Sequence, residues 1–144
     1  MENQSAYSII PLHEHHVTRV CGVAFPDSAE HDIDLVFVIL HDPPKCYRFC
    51  LGEGVAYYDV VSHEEATAEI QEYKSRTTDL IDCDQELYVT LAHEFELENG
   101  SPAQISIDFS NGLNLGFRCR PAQTNGSTEV LIRPVEQAER KIAQ

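Results

Sequence analysis

The chain has 144 residues, of which 24 are acidic and 10 are basic, so its formal net charge is −14. This charge argues against binding to nucleic acid or to an anionic membrane surface, because basic side chains must neutralise both. Hydrophobic residues make up 42% and charged residues 24% of the chain. That composition predicts a single globular domain, residues 1–144, and argues against a disordered chain.

The N-terminal segment has no basic stretch followed by an apolar core, and no apolar run approaches the ~18 residues of a membrane span. The chain has five cysteines, and no two of them form a Cys-x-x-Cys pair. Cys46 and Cys50 are the closest pair, and in a strand they stand too far apart for a disulfide. These features predict a cytoplasmic protein with reduced thiols.

Strand patterns dominate the first half of the chain. Residues 16–25 alternate weakly, and the apolar run 35–40 predicts a strand covered on both faces. Residues 46–51 and 55–62, joined by a Gly-Glu-Gly turn, predict a hairpin.

A helix is predicted over residues 62–74. Ser62 and Glu65 have the spacing of a capping box, which satisfies the unpaired N–H groups at a helix start. One stripe of this helix carries apolar side chains for packing on the sheet: Ala66, Ile70 and Tyr73. A second, short helix is expected from about 135 to 142.

The second half predicts a four-stranded antiparallel meander. Its alternating segments are 86–98, 103–109, 113–120 and 128–134. An Asn-Gly dipeptide lies between each consecutive pair, and Asn-Gly supplies the positive φ angles of tight hairpin turns. The fold class is therefore α+β: a large, mostly antiparallel sheet with the helix at 62–74 packed on it and a short C-terminal helix.

Three of the seven histidines lie within residues 13–16. His13 and His15 point the same way on a regular strand, and such a pair can bind a metal ion. Nothing selects a third ligand, for which the distant candidates are His41, His63 and His93. Exposed histidines at a strand start explain the pattern more simply, so the sequence predicts no cofactor, and His13 and His15 remain the only metal candidates.

No catalytic motif is present. The chain lacks a Gly-x-Ser-x-Gly elbow and a phosphate-binding loop. Cys83 lies between two aspartates, whose negative charge disfavours a reactive thiolate. His93 interrupts an apolar alternation between Leu91 and Phe95, which predicts a buried imidazole with a polar partner. We therefore expect no catalytic residue.

Acidic residues are concentrated in residues 77–117, which contain no lysine or arginine. If Leu97 lies opposite Ile105, Glu94 faces Asp108 on the neighbouring strand. Four carboxylates then share one solvated sheet face: Glu94, Glu96, Glu98 and Asp108. A solvated strand face accounts for them without a partner, and a docking surface for a basic protein is the functional interpretation.

Two classes of function follow. The first is a non-enzymatic acidic binding protein of the inhibitor or immunity type, which docks on a basic partner protein such as a toxin or nuclease through the four carboxylates. The alternative is a small enzyme or ligand carrier with a pocket in the sheet, metal-dependent in one version through His13 and His15. A subunit that exposes one sheet edge to a larger assembly is a third possibility.

Overall fold

The computed structural model describes residues 7–9, 15–24, 33–41, 44–51, 57–83, 86–95, 104–119 and 128–137. These residues form ten strands and one α-helix. The elements are β1 (Tyr7–Ile9), β2 (His16–Ala24), β3 (Ile33–Leu40), β4 (Lys45–Cys50), β5 (Tyr57–Ser62), α1 (His63–Glu72), β6 (Thr77–Ile81), β7 (Leu87–Phe95), β8 (Gln104–Phe109), β9 (Leu113–Cys119) and β10 (Thr128–Pro134).

The strands form one sheet in the order β10-β9-β8-β7-β2-β3-β4-β5, with β1 added to β7 and β6 added to β2. All of these pairs are antiparallel. The predicted antiparallel sheet, the C-terminal meander β7–β10 and the hairpin β4–β5 are confirmed. Gly112 has a φ of 90° in the turn between β8 and β9, as its Asn-Gly dipeptide requires. The other two dipeptides lie outside the described residues.

The sheet curls so that its two halves face each other. Phe49 on β4 and Phe117 on β9 stand five strand positions apart in the sheet order, roughly 24 Å if the sheet were flat. Their ring centroids are nevertheless only 5.1 Å apart. The concave face of the curl is therefore a core, lined by buried side chains from β2, β3, β4, β7, β8 and β9.

Helix α1 covers the outer face of β3, β4 and β5. Ser62 is its N-cap, and the side-chain Oγ accepts a hydrogen bond of 3.0 Å from the backbone N–H of Glu65. Ala66 and Ile70 are buried against the sheet, and Tyr73 packs beside them. The predicted helix, its cap and its apolar stripe are thus confirmed, with the last helical residue at Glu72.

The part of the chain that the structure describes does not show the predicted C-terminal helix. After β10, the described residues form a single 3-10 turn, Val135–Gln137. The physical reason is the start of the segment, where Pro134 stands in place of a Ser, Thr, Asp or Asn cap that would satisfy the first N–H groups of a helix. Residues 138–144 lie outside the described part of the chain.

Strand β7 contains a bulge that changes which residues share a face. Val89 pairs with Phe109, but Leu91 pairs with Asp108, so Thr90 is an extra residue in the ladder. Beyond the bulge, Ala92 joins the concave face. The alternation predicted over 86–98, with every second residue on one face, is therefore wrong after Val89.

Candidate functional site

The structure does not bring the predicted acidic face together. Glu94 pairs with Ile105 and Asp108 with Leu91, so the two carboxylates lie on opposite faces of the sheet and the predicted register between them is wrong. The bulge in β7 is the physical cause, since one extra residue inverts the facing of every side chain after it. Glu96 and Glu98 lie outside the described residues.

Glu94 and Asp108 also differ in their surroundings. The Glu94 side chain is half-buried near Tyr58, whose pKa is raised by burial and by the negative charge of Glu94. Asp108 is only 6% exposed, on the convex face of the meander. Asp108 therefore does not contribute to an exposed acidic surface.

A buried polar cluster surrounds Asp108, and we define it as His93, Ser106, Asp108, Asn114 and Arg133. The Asn114 side chain is 0% exposed, and its Nδ2 donates hydrogen bonds to Ser106 Oγ at 2.8 Å and to Asp108 Oδ1 at 2.7 Å. Arg133 Nε lies 3.4 Å from Asn114 Oδ1. One amide thus connects three strands of the meander.

Glycine at position 116 leaves room for this arrangement. A Cβ added there would lie 3.3 Å from Arg133 Nη2 and 3.5 Å from Asn114 Oδ1. Arg133 lies opposite Asn114 in the ladder, and the Nη2 end of its guanidinium extends over Gly116.

The hydrogen bonds of the cluster link its side chains across neighbouring strands. His93 is 1% exposed, which confirms the predicted buried imidazole, and it lies opposite Ser106 in the ladder. Ser106 Oγ accepts a hydrogen bond from an amide, and this contact does not activate the hydroxyl as a nucleophile, which needs a base to accept its proton. The cluster is accordingly assigned to register and packing.

A more exposed feature is a groove beside β2, which we call the bulge groove because the register of β2 with β3 shifts there, between Val17 and Arg19. It has a volume of about 470 Å³ and is lined by Thr18, Arg19 and residues 79–83. One edge of β2 pairs with β7 at residues 16–17 and with β6 at residues 20–23. The groove lies between these two pairings, where the edge of β2 stops pairing with β7 and begins to pair with β6.

The bulge groove has a negative balance of charge. Arg19 Nε contacts Asp79 Oδ1 at 2.8 Å, and both side chains are exposed, at 43% and 66%. The Asp79 hydrogen bond raises the already high pKa of Arg19, so its charge is permanent. Asp82 on the groove wall is an exposed carboxylate, and Glu86, directly before β7, is another. The sequence signal for this surface is the base-free segment 77–117.

On the helix side of the sheet, one basic side chain contacts two acidic ones. Arg48 contacts Asp59 through two hydrogen bonds, at 3.1 and 2.6 Å, and Glu69 through one of 2.8 Å. Arg48 therefore forms ion pairs with two acids at once. In the lining of the bulge groove the one base is Arg19, and it contacts Asp79.

The cysteines fit the structural interpretation. Cys21 and Cys46 are buried beneath α1, and burial raises the pKa of their thiols to about 11 and about 12. Thiols of this kind are poor nucleophiles at neutral pH. Cys83 is half-buried on the groove wall, with its Sγ 3.5 Å from the carbonyl oxygen of Ile81.

The predicted histidine pair is only half described. His13 lies outside the described residues, and His15 precedes β2 with its Nδ1 buried and without a hydrogen-bond partner in the described structure. Among the described residues, no three or more His, Cys, Asp or Glu side chains are grouped to hold a metal ion. The two imidazoles in contact are those of His16 and His41.

No helix in the described part of the chain is long and apolar enough to cross a membrane. Compared with protein-family models, curated proteins and solved structures, the chain matches none of them.

Proposed function

We propose that this protein is a non-enzymatic acidic binding protein that docks on a basic partner protein through the bulge groove. The observation that carries the proposal is the pair of exposed carboxylates on the groove lining, Asp79 and Asp82, beside one lining base, Arg19, with Glu86 exposed directly before β7. A net charge of −14 extends the same field over the molecule, and such a field raises the association rate of a cationic partner.

The groove supplies a place for a cationic side chain. Asp79 lies on β6 and Asp82 on the segment that follows. Both are beside the part of β2 that lies between its pairing with β7 and its pairing with β6. A lysine or arginine of the partner that enters here would compete with Arg19 for Asp79 and approach Asp82. Four of the seven lining residues are polar or charged, which supports a protein contact over an apolar small-molecule pocket.

The specific form that we propose is a cytoplasmic inhibitor that covers the basic active site of a toxin or nuclease. Support comes from the negative groove and from the buried, inert thiols Cys21 and Cys46, which suit a reducing compartment. Such an inhibitor needs no chemistry of its own, which agrees with the assignment of the buried polar cluster to packing.

The test isolates partners from the native source by cross-linking and affinity purification, and then measures binding of the recovered protein. The groove variant is Asp82→Lys/Glu86→Lys, and its matched control is Glu72→Lys/Glu136→Lys at exposed positions elsewhere. Two acids become two lysines in each variant, so both net charges change from −14 to −10.

We expect a basic partner that the groove variant binds at least about tenfold more weakly, mainly through slower association, while the control binds nearly as the wild type does. Raising the salt from about 0.05 M to about 0.5 M should weaken wild-type binding. An equal affinity for both variants, or a partner unaffected by salt, would refute docking through the groove. If the partner is an enzyme, one equivalent of wild-type protein should abolish its activity. Undiminished enzyme activity at that ratio would refute the proposal that the protein is an inhibitor.

A further inference from the structure

His16 and His41 lie next to each other at the end of the β2–β3 ladder. Val17 pairs with Leu40, and the backbone N–H of His41 donates to the carbonyl oxygen of His16 at 3.0 Å. The two histidines therefore continue the register as direct cross-strand neighbours, a position in which Cβ atoms stand about 5 Å apart.

Their imidazole rings have the spacing of two ligands on one tetrahedral ion. The ring centroids are 5.4 Å apart, and the ring planes make an angle of 70°. A zinc–nitrogen bond of about 2.1 Å puts the ion roughly 3.2 Å from each centroid, so two rings at a tetrahedral angle have centroids roughly 5.2 Å apart. A right-angled pair of ligands would bring the centroids to roughly 4.5 Å.

Neighbouring residues restrict the ring of His16 and leave the ring of His41 exposed to solvent. Tyr88 stacks on His16 with ring centroids 5.1 Å apart and an angle of 27° between the planes, so the half-buried His16 has little rotational freedom to lose on binding. His41 is exposed to solvent. An ion arriving from solution can therefore reach both rings.

We propose that His16 and His41 form a zinc site on the convex face of the sheet, with water filling the other coordination positions. Zn²⁺ suits the site because it accepts imidazole nitrogen and prefers four tetrahedral ligands. The described residues add no third side chain to the pair, and the surplus of 14 negative charges on the chain favours a cation at its surface.

The test titrates the purified full chain with ZnCl₂ in a calorimeter at about pH 7.5 and follows the ¹⁵N shifts of the histidine rings in parallel. We expect one ion per chain and shifts at His16 and His41. His41→Ala should weaken binding at least about tenfold, since a lost ligand costs no less than a lost outer partner. Because His41 is exposed, its replacement leaves the fold intact, and His16→Ala is the second variant.

Two control variants make the outcome decisive. His63→Ala removes an exposed histidine at the start of α1 and should bind zinc as the wild type does. His13→Ala/His15→Ala tests the pair that the sequence alone selects, and it should also retain binding. Loss of binding in that variant with retention in His41→Ala would overturn the proposal, as would the absence of any ring shift at His16 and His41. Either result leaves the docking proposal untouched.

Discussion

Replacing Asn114 tests whether the buried polar cluster holds the meander in register. Asn114→Ala removes two donated hydrogen bonds, one to a neutral hydroxyl and one to a carboxylate. The first is worth about 1 kcal/mol and the second about 2 kcal/mol, and both acceptors remain buried after the change. We expect a loss of about 3 kcal/mol from the free energy of unfolding, a large part of the ~5–15 kcal/mol typical of a domain.

The assay is urea unfolding followed by circular dichroism. With a slope of about 2 kcal/mol per molar, the loss moves the midpoint down by about 1.5 M urea. Ser106→Ala is the control within the cluster, because it removes one neutral partner and should cost only about 1 kcal/mol.

The Asn114→Asp variant separates the contribution of side-chain shape to stability from the contribution of the donated hydrogen bonds. The substituted side chain has nearly the same size, but its carboxylate has no N–H to donate and lies beside Asp108. It should destabilise the protein at pH 7 at least as strongly as alanine does. A cost below about 1 kcal/mol for Asn114→Ala, or full tolerance of Asn114→Asp, would refute a role for these two bonds in stability.

Three further changes test other parts of the fold. Ser62→Ala removes the N-cap acceptor of α1 and should cost about 1 kcal/mol in chemical unfolding, against a few tenths for Ser62→Gly. Gly22→Ala puts a Cβ 3.0 and 3.2 Å from two carbons of Ile33 and should cost about 1–3 kcal/mol through overpacking, measured as a lower thermal midpoint. The raised pKa values of Cys21 and Cys46, about 11 and about 12, predict that stability falls as pH rises above 9, because the unfolded chain loses these protons first.

Each of these three predictions has its own control. If Ser62→Gly and Ser62→Ala cost the same, the cap hydrogen bond is not what stabilises the helix start. Gly116→Ala meets only the flexible end of Arg133 at 3.3 Å, so it should cost less than Gly22→Ala, and the reverse order would contradict the packing argument. A Cys21→Ala/Cys46→Ala variant should lose stability less steeply in alkali, and an unchanged slope would exclude the two thiols as the cause.

Local signals in the sequence predicted the elements that depend on local chemistry. The capping box located the start of α1, because the Ser62 hydroxyl meets its N–H group within one turn. The apolar run 35–40 predicted a strand covered on both faces, and Val36–Leu40 are all buried between the concave core and α1.

The candidate site was not predictable in the same way, because it depends on register and on strand topology. One extra residue, Thr90, separates Glu94 from Asp108, and no local pattern marks it. The burial of Asp108 was missed because alternation in β8 indicates which residues share a face and does not indicate that both faces are covered. The bulge groove arises where β6 and β7 meet one edge of β2, a contact between segments some sixty residues apart.

Strand β2 has a consequence for how the molecule opens. It pairs along one edge with β3 and along the other with β7 and β6, and residues 20–23 are fully buried. Each amide proton in that stretch can exchange with solvent only when the neighbouring strand that it bonds to separates from β2, so these protons should be among the last to exchange. The bulge groove therefore lies beside slowly exchanging backbone amides. A partner bound there would stabilise the pairing of β2 with β6 and β7, which connects the two halves of the sheet.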